Sequence, residues 1–366
     1  LYSAMADLAA ENGDASLKAA LDKLWKHLTS RQLYVTGGMG PAVENEGFTR
    51  SFDLPNETAY AETCAAVSLV FWGHRMAAID LDGRFADHME LVLHNGALSG
   101  VSLGGDHYFY ENPLESHGQH RRWRWHYCPC CPTNLARLVA SLGGYVASHD
   151  DENIAVHLYA ASTIEMKVAG RALRLTQQTA YPWDGDIRLS IEADDPLPAT
   201  LWLRVPGWCR GATASINGAP VDVEALTRKG YLGIRREWAT GDEVRLHFDM
   251  PVEALHAHPD VGMDADRVAL KRGPVLYCVE EADNAAPPQR MRLASGEAKA
   301  AYQPDLLGGV VTLEVPATVD QTGDWQDTLY RPKPAETVPG TITAIPYFAW
   351  ANREPGGMLV WLRDGR

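Results

Sequence analysis

The sequence predicts a multidomain protein in which a helical region precedes antiparallel β-structure. Up to about residue 150, apolar residues recur with the period of a helix, and from about residue 152 they alternate with polar residues, as in half-buried strands. The chain of 366 residues is long enough for two or three domains of roughly 100 to 200 residues each. We place the predicted domains at residues 1–150, 151–260 and 261–366.

Helical periodicity marks segments that are separated by breaks rich in Gly or Pro. These segments are residues 1–12, 15–30, 57–80, 83–99 and 132–147. The connections at 31–56 and 100–131 are too long to be simple turns, and long loops in compact domains commonly carry function. We therefore expect the functional residues in these two connections.

Strand-like alternation follows the helical region. It is clearest at residues 164–168, 187–192, 201–205 and 244–248. Asn217-Gly218 is typical of a tight hairpin turn, so these strands predict a β-sandwich. Residues 283–340 are rich in Pro and Ala and predict less regular structure, and the apolar stretch 358–362 predicts a last strand.

Charge and apolar content exclude two classes of partner. The formal net charge of −14 and the pI near 5.4 argue against nucleic acid, whose binding proteins present a basic face. No run of 18 apolar residues is present, so we predict no membrane span. Residues 1–9 read as helix from the outset, which predicts that further sequence precedes them in the folded unit.

The cysteines are too clustered for a disulfide framework. Cys128, Cys130 and Cys131 fall within four residues, a density that suits metal or redox chemistry in a reducing compartment. Glu62 and Cys64 offer further ligands, so a site of two or three thiolates with one glutamate is one interpretation. Buried, inert cysteines are the other, because the spacing is not that of a zinc finger.

A regular helix cannot hold both Glu62 and Cys64 toward one ion, because residues i and i+2 point to different sides of a helix. We therefore predict an irregular stretch at Glu62, with helix from about Cys64. A second helix is predicted to begin near Thr133, and its N-terminus would favour thiolates just before it.

Glu46 is the candidate proton donor among the carboxylates of the first long loop. Its neighbours Gly47 and Phe48 suggest a partly apolar setting, which would favour the protonated form that a general acid needs. Solvated loop carboxylates are common, however, and the sequence leaves that alternative open.

Several short motifs, taken in order along the chain, resemble those of glycoside hydrolase family 127, the β-L-arabinofuranosidases. A weaker match at Arg267-Val-Ala-Leu-Lys-Arg-Gly-Pro274 extends the resemblance into the β region. The stronger motifs are Tyr34-Val-Thr-Gly-Gly38, Asn45-Glu46-Gly-Phe48, Asp53-Leu-Pro-Asn56, Glu62-Thr-Cys64, Asn95-Gly-Ala-Leu98, Phe109-Tyr110-x-Asn-Pro-Leu-Glu115 and Cys130-Cys-Pro-x-Asn134.

The resemblance implies the later part of an (α/α)6 barrel followed by β-sandwich domains. It implies retaining hydrolysis of non-reducing terminal β-L-arabinofuranosides, or of a related glycoside, with a cysteine nucleophile. The residues that match the family's zinc ligands are Glu62, Cys64, Cys130 and Cys131. Cys130 also matches the nucleophile and Glu46 the acid/base, while Tyr110 and Glu62 match residues at the sugar; Cys128 has no implied role.

Three matters stay open at the level of sequence. The cysteines and Glu62 also suit a closed, structural zinc site in a carbohydrate-binding or scaffolding protein. Five histidines before the cysteines, His94, His107, His117, His120 and His126, receive no catalytic role. An incomplete barrel would expose apolar helix faces, so we expect an oligomer, a partner chain or preceding sequence to cover them, and we expect a cytoplasmic location from the thiols.

Overall fold

The computed structural model describes residues 1–323, 325 and 327–366, which form two compact units. The first unit comprises residues 1–26, 67–93 and 133–251. The second unit comprises residues 27–66, 94–132 and 252–366. Each unit is assembled from separate stretches of the chain, and the three continuous domains that the sequence suggests stay a prediction.

Helices dominate the first part of the chain. None of the helices within the described residues is both long enough and apolar enough to cross a membrane. The α-helices are α1 Tyr2–Asn12, α2 Ala15–Arg31, α3 Thr63–Ile79, α4 Gly83–Leu91, α5 Cys130–Ser141, α6 Gly143–Val146 and α7 Val223–Leu226.

The helix predictions are confirmed for α1 and α2, whose ends lie within one residue of those expected. Helix α3 begins later than predicted, and α4 changes at Val92 into a π-helical turn, Val92–Ala97. Tertiary hydrogen bonds explain this change, because the Asn95 side chain donates to the Pro274 carbonyl and accepts from the Leu276 amide. The Gly96 amide likewise donates to the Thr36 carbonyl at 3.0 Å.

Five helices of nine residues or more, α1 to α5, lie in the described part of the chain before residue 142, where only the two-residue strand Glu115–Ser116 interrupts them. The chain therefore combines helical and sheet regions, as the sequence predicts. An (α/α)6 barrel consists of six helix pairs, so these helices do not by themselves make a complete one.

The strands of the described residues form three sheets. In chain order they are β1 Glu115–Ser116, β2 Ala147–His149, β3 Asn153–Val156, β4 Ser162–Val168, β5 Arg171–Thr179, β6 Asp186–Ala193, β7 Leu197–Arg204, β8 Ala212–Ile216, β9 Ala219–Val221, β10 Thr227–Arg228, β11 Tyr231–Trp238, β12 Glu243–Phe248, β13 Val252–Leu255, β14 Arg267–Arg272, β15 Val275–Glu280, β16 Met291–Leu293, β17 Lys299–Gln303, β18 Val310–Asp320, β19 Thr337–Pro346, β20 Met358–Leu359 and β21 Trp361–Asp364.

Two sheets of the first unit bury a common hydrophobic core. One has the order β10-β11-β7-β3-β2 and the other β4-β5-β6-β12-β8-β9. Buried side chains of both, such as Leu201 and Leu203 from the first and Leu189 and Leu246 from the second, belong to this core. The four predicted strands and the turn at Asn217-Gly218 are confirmed, since that turn joins β8 to β9.

The second unit contains a ten-stranded sheet with the path β1-β20-β15-β19-β18-β16-β21-β14-β13, and β17 pairs with β18. The prediction of less regular structure at 283–340 is wrong for β18, an eleven-residue strand that pairs along most of its length with β19. Residues 324 and 326 of that range lie outside the described residues. The predicted strand at 358–362 is present as β20 and β21.

Candidate functional site

Four side chains predicted as metal ligands lie together in the second unit. One ligand atom from each of Glu62, Cys64, Cys130 and Cys131 can be chosen so that all lie within 4.8 Å of one another. The Cys64 and Cys131 sulfurs are 3.5 Å apart, and the Cys130 and Cys131 sulfurs are 3.8 Å apart. We call these four residues the thiol cluster; the group is close enough to bind a metal ion.

The spacing of the thiol cluster fits a tetrahedral cation. Bonds of about 2.3 Å to sulfur and about 2.1 Å to oxygen, as for Zn²⁺, imply ligand-to-ligand distances of about 3.6 to 3.8 Å. The Glu62 Oε1 atom lies 3.4 Å from the Cys130 sulfur and 3.8 Å from the Cys131 sulfur. With the two sulfur separations, these four distances lie close to the edge lengths of such a tetrahedron.

Glu62 is held just outside the helix that carries Cys64. Helix α3 begins at Thr63, whose amide donates to the Tyr110 carbonyl and whose hydroxyl donates to the Phe109 carbonyl. The Asn112 amide donates to the Ala61 carbonyl and to the Thr63 hydroxyl, both at 2.9 Å. The predicted irregular stretch at Glu62 is therefore confirmed, and these bonds hold the residues on either side of Glu62 in place.

The three sulfurs all belong to the first turns of helices. Cys64 follows Thr63 at the start of α3, and Cys130 and Cys131 are the first two residues of α5. The expected start of the second helix near Thr133 is wrong, because Pro132 is tolerated within a first turn and the helix begins before it. The positive ends of two helix dipoles thus face the sulfurs and favour their charged forms.

Burial opposes the charged forms of the same thiols. Burial raises the pKa of Cys130 to about 12, although a hydrogen bond from the Tyr110 hydroxyl opposes the rise. The pKa of Cys131 is raised by its hydrogen bond with Cys64 and by burial. Several acids packed together in this way are the environment that a bound cation stabilises.

Glu46 contacts two tyrosines rather than an apolar surface. Its Oε1 atom accepts hydrogen bonds from the Tyr60 hydroxyl at 2.7 Å and from the Tyr110 hydroxyl at 3.1 Å. Glu46 and Phe48 are both exposed, so the apolar setting expected from the sequence is not found. A positive φ of 47° at Glu46 turns the loop at this point.

The Tyr110 hydroxyl joins Glu46 to the thiol cluster. It donates its proton to Glu46 at 3.1 Å, and the same oxygen interacts with the Cys130 sulfur. Two hydrogen bonds that meet at one oxygen keep the carboxylate and the sulfur within roughly 7 Å of each other. The two reacting carboxyl groups of retaining glycoside hydrolases are about 5 to 5.5 Å apart, a separation that this upper limit allows.

The structure brings together every residue that the sequence proposed for the site. Cys128, by contrast, is exposed and outside the thiol cluster. Sequence reasoning missed Tyr60, whose only signal was a polar aromatic residue two positions before Glu62 in a segment expected to be irregular. His126 also approaches the site, with its ring centroid 5.6 Å from that of Tyr110.

Family models, a curated relative and solved structures all point to the same protein family. Models of that family match in sequence: the β-L-arabinofuranosidase GH127 catalytic domain at residues 3–144, its middle domain at 153–250 and the glycoside hydrolase family 127 C-terminal domain at 252–363. A non-reducing end β-L-arabinofuranosidase of Bifidobacterium longum subsp. longum is 36% identical over 96% of this chain.

Solved structures agree in fold. A GH127 β-L-arabinofuranosidase from Geobacillus stearothermophilus T6 superposes with a TM-score of 0.96 at 46% identity over 99% of this chain. A GH127 β-arabinofuranosidase, BT3674, gives 0.94 at 38% identity over 99%. The chain spans 56% of the Bifidobacterium protein and 59% and 58% of the two solved chains. The chain belongs to glycoside hydrolase family 127.

Proposed function

We propose that this chain carries the nucleophile, the acid/base and the metal ligands of a zinc-dependent retaining glycoside hydrolase. The substrate class is non-reducing terminal β-L-arabinofuranosides, the class printed in the name of the Bifidobacterium relative. The observation that carries the proposal is the position of the Tyr110 hydroxyl, which donates to the Glu46 carboxylate at 3.1 Å and interacts with the Cys130 sulfur. Tyr110 thus links the proposed proton-transfer group to the proposed nucleophile.

The fold proposal follows the same family. Helices α1 to α5 form part of an (α/α)6 barrel, and the two sheets with a common core form a β-sandwich. Residues 1–150, 151–260 and 261–366 are the corresponding domains. A partner chain, a second copy or further sequence of this protein completes the helical ring, and the thiols favour the cytoplasm.

Cys130 is the proposed nucleophile. Its sulfur forms a bond to the anomeric carbon as the bond between that carbon and the leaving oxygen breaks. Glu46 gives its proton to the leaving oxygen in this step, and Tyr60 and Tyr110 hold its carboxyl group in place. Tyr110 also contacts the Cys130 sulfur, so one side chain aligns both reacting groups.

The second half of the reaction releases the sugar. Glu46, now a carboxylate, removes a proton from water, and the oxygen of that water replaces the Cys130 sulfur at the anomeric carbon. Two displacements at one carbon leave its configuration unchanged. Zinc, when held by Glu62, Cys64, Cys130 and Cys131, would keep the sulfurs deprotonated near neutral pH and fixed in place.

The direct test compares two cysteines. We expect Cys130→Ser to reduce hydrolysis of p-nitrophenyl β-L-arabinofuranoside by at least about 10⁴-fold, because serine is a far weaker nucleophile in this setting. Cys128→Ser is the matched control and should keep full activity, since Cys128 is exposed and outside the thiol cluster. Zinc content is measured for both variants and for the unaltered protein.

The outcomes separate the rival functions. One zinc per chain with turnover that depends on Cys130 supports the proposal. If the full-length protein binds zinc but does not hydrolyse the substrate, the alternative function, a structural zinc site in a carbohydrate-binding protein, is supported instead. Full activity of Cys130→Ser would end the nucleophile assignment, and a protein without zinc would remove the metal from the proposal.

Glu46 has its own test. Glu46→Gln should slow natural linkages by about 10² to 10⁴-fold and aryl glycosides much less, because a good leaving group needs little protonation. The measurement is kcat/KM on p-nitrophenyl arabinofuranoside and on an arabinose disaccharide. Equal losses on both substrates would show that Glu46 acts in another way.

A further inference from the structure

A cavity lies in the unit that contains the thiol cluster but shares none of the residues of that cluster. Its volume is about 290 Å³, and its lining includes Tyr34, Phe52, Leu255, His258, Asp264 and Trp361. The volume is at the lower end for small-molecule sites, which favours a ligand about the size of one sugar ring. None of Glu46, Tyr60 or Tyr110 lines it either.

Two buried polar side chains line the cavity. Tyr34 is only 2% exposed, and its hydroxyl has no hydrogen-bond partner among the described residues. Asp264, 6% exposed, accepts a hydrogen bond from the Asn56 amide at 2.8 Å through one oxygen, Oδ1. A buried hydroxyl without a partner is costly, so Tyr34 marks a place where a ligand atom would be stabilised.

Apolar and aromatic side chains make up much of the remaining wall. The rings of Phe52 and His258 stack with centroids 4.6 Å apart, and Trp361 is 5% exposed. Leu54 and Leu255 extend this wall. A largely apolar wall with a few fixed polar groups is the usual pattern of a small-molecule site, and aromatic rings suit the C–H faces of a sugar.

Charge selects against ionic ligands. Burial, together with the nearby carboxylates of Asp53 and Asp264, raises the pKa of the Tyr34 hydroxyl, so negative charge lies close to that hydroxyl. Anions are therefore disfavoured there. The Arg31 side chain, which also lines the cavity, lies over the Phe52 ring at 5.8 Å and adds positive charge there.

We propose that this cavity binds one neutral monosaccharide, with Tyr34 donating a hydrogen bond to a sugar hydroxyl and Asp264 accepting one. The site is separate from the hydrolytic site and does not depend on hydrolysis. A sugar released by cleavage has the chemistry that it would recognise, so L-arabinose is the first probe.

The experiment measures the melting temperature of the protein against L-arabinose concentration. The variants are Tyr34→Phe and Asp264→Asn in the cavity, Glu46→Gln at the hydrolytic site and Tyr302→Phe at an exposed position. We expect the cavity variants to need about tenfold more L-arabinose for the same rise in melting temperature, because each variant loses or alters one hydrogen-bonding group. Glu46→Gln and Tyr302→Phe should keep it.

The sugar-free protein provides a second readout. Tyr34→Phe removes a hydroxyl that has no protein partner, so it should leave the melting temperature without sugar unchanged or higher. The proposal is overturned if L-arabinose gives no shift, if Tyr34→Phe responds as the unaltered protein does, or if only Glu46→Gln loses the shift. A shift given by inorganic phosphate and lost in Tyr34→Phe would likewise overturn it in favour of an anion site.

Discussion

Two groups of ionisable side chains in this chain differ in how their charge is balanced. The thiol cluster of the second unit brings together a carboxylate and three thiols, all of which are neutral or negative. In the first unit, Arg204 is fully buried beside the buried carboxylate of Glu90 and the partly exposed carboxylate of Asp87. We call Arg204, Asp87, Glu90, Tyr181 and Trp208 the Arg204 network.

The Arg204 network is satisfied by its own members. The guanidinium bonds to Glu90, to Asp87 at 2.7 Å and to the His157 carbonyl at 2.6 Å. Glu90 also accepts hydrogen bonds from the Tyr181 hydroxyl at 2.5 Å and the Trp208 indole at 3.0 Å. Burial lowers the pKa of the Arg204 guanidinium, but the two carboxylates outweigh burial and raise it.

The difference teaches how to separate a structural network from a ligand site. Both groups gather charge in a low-dielectric setting, where an uncompensated charge is costly. The Arg204 network contains its own cation and needs nothing further. The thiol cluster contains only acids, so full ionisation requires a cation from solution, and this contrast gives each group a different experimental signature.

Removal of metal should give the largest effect. Chelation is expected to lower the free energy of unfolding by about 5 kcal/mol relative to protein with free zinc at ten thousand times Kd, since a ligand bound only by the folded state stabilises it by mass action. Urea unfolding with and without chelator measures this. The Cys64→Ser variant should lose most of the metal-dependent part of the free energy of unfolding, and the Cys128→Ser variant should keep it.

An unfolding curve that did not respond to chelation would break the comparison, because the thiol cluster would then be as self-sufficient as the Arg204 network.

Disruption of the Arg204 network should give the next largest effect. We expect Glu90→Gln to destabilise the protein by about 3 to 4 kcal/mol, because it removes one of the two carboxylates that compensate a buried guanidinium. The loss should be the same with or without chelator. Asp80→Asn, which breaks the surface pair between Asp80 and Lys229, is the control and should change stability little.

A loss in Glu90→Gln that was no greater than in Asp80→Asn would mean that the buried charges of the Arg204 network contribute little to stability.

The thiol cluster could be predicted from sequence, and the Arg204 network could not. Metal-binding chemistry uses few residue types, so Glu62, Cys64, Cys130 and Cys131 stood out even from separate motifs. Arg204 pairs with residues 114 and 117 positions away, and no local pattern records such a pairing. Alternation in β7 also predicts an exposed side chain beside buried Leu203, yet Arg204 is fully buried.

Local geometry at the candidate site was predictable only in part. The start of a helix just after Glu62 could be predicted, because ligands at positions i and i+2 cannot both face one ion from a regular helix. The start of α5 at Cys130 could not, because apolar periodicity begins only at Leu135 and the prolines around the cysteines suggest a loop. The two tyrosine partners of Glu46 depend on contacts 14 and 64 positions apart in the chain.

The smallest expected effect is the pH dependence of the free energy of unfolding that arises from His157 in the first unit. Burial, with the nearby charges of His74 and Arg204, lowers the pKa of His157 to about 4. Between about pH 6.5 and about pH 4 the unfolded chain therefore binds a proton that the folded chain does not. The free energy of unfolding should fall by about 2 to 3 kcal/mol as the pH drops through this window.

His157→Gln tests the assignment, because glutamine cannot take up the proton but can still bond to the Ser148 and Tyr231 hydroxyls that His157 contacts at 2.9 and 2.7 Å. Urea unfolding at about pH 4.5 and about pH 7 should show a smaller pH difference in this variant. The measurement is made without metal, since protons compete with zinc for thiolates and would add a second pH dependence. An unchanged pH difference in His157→Gln would place the acid sensitivity at another group.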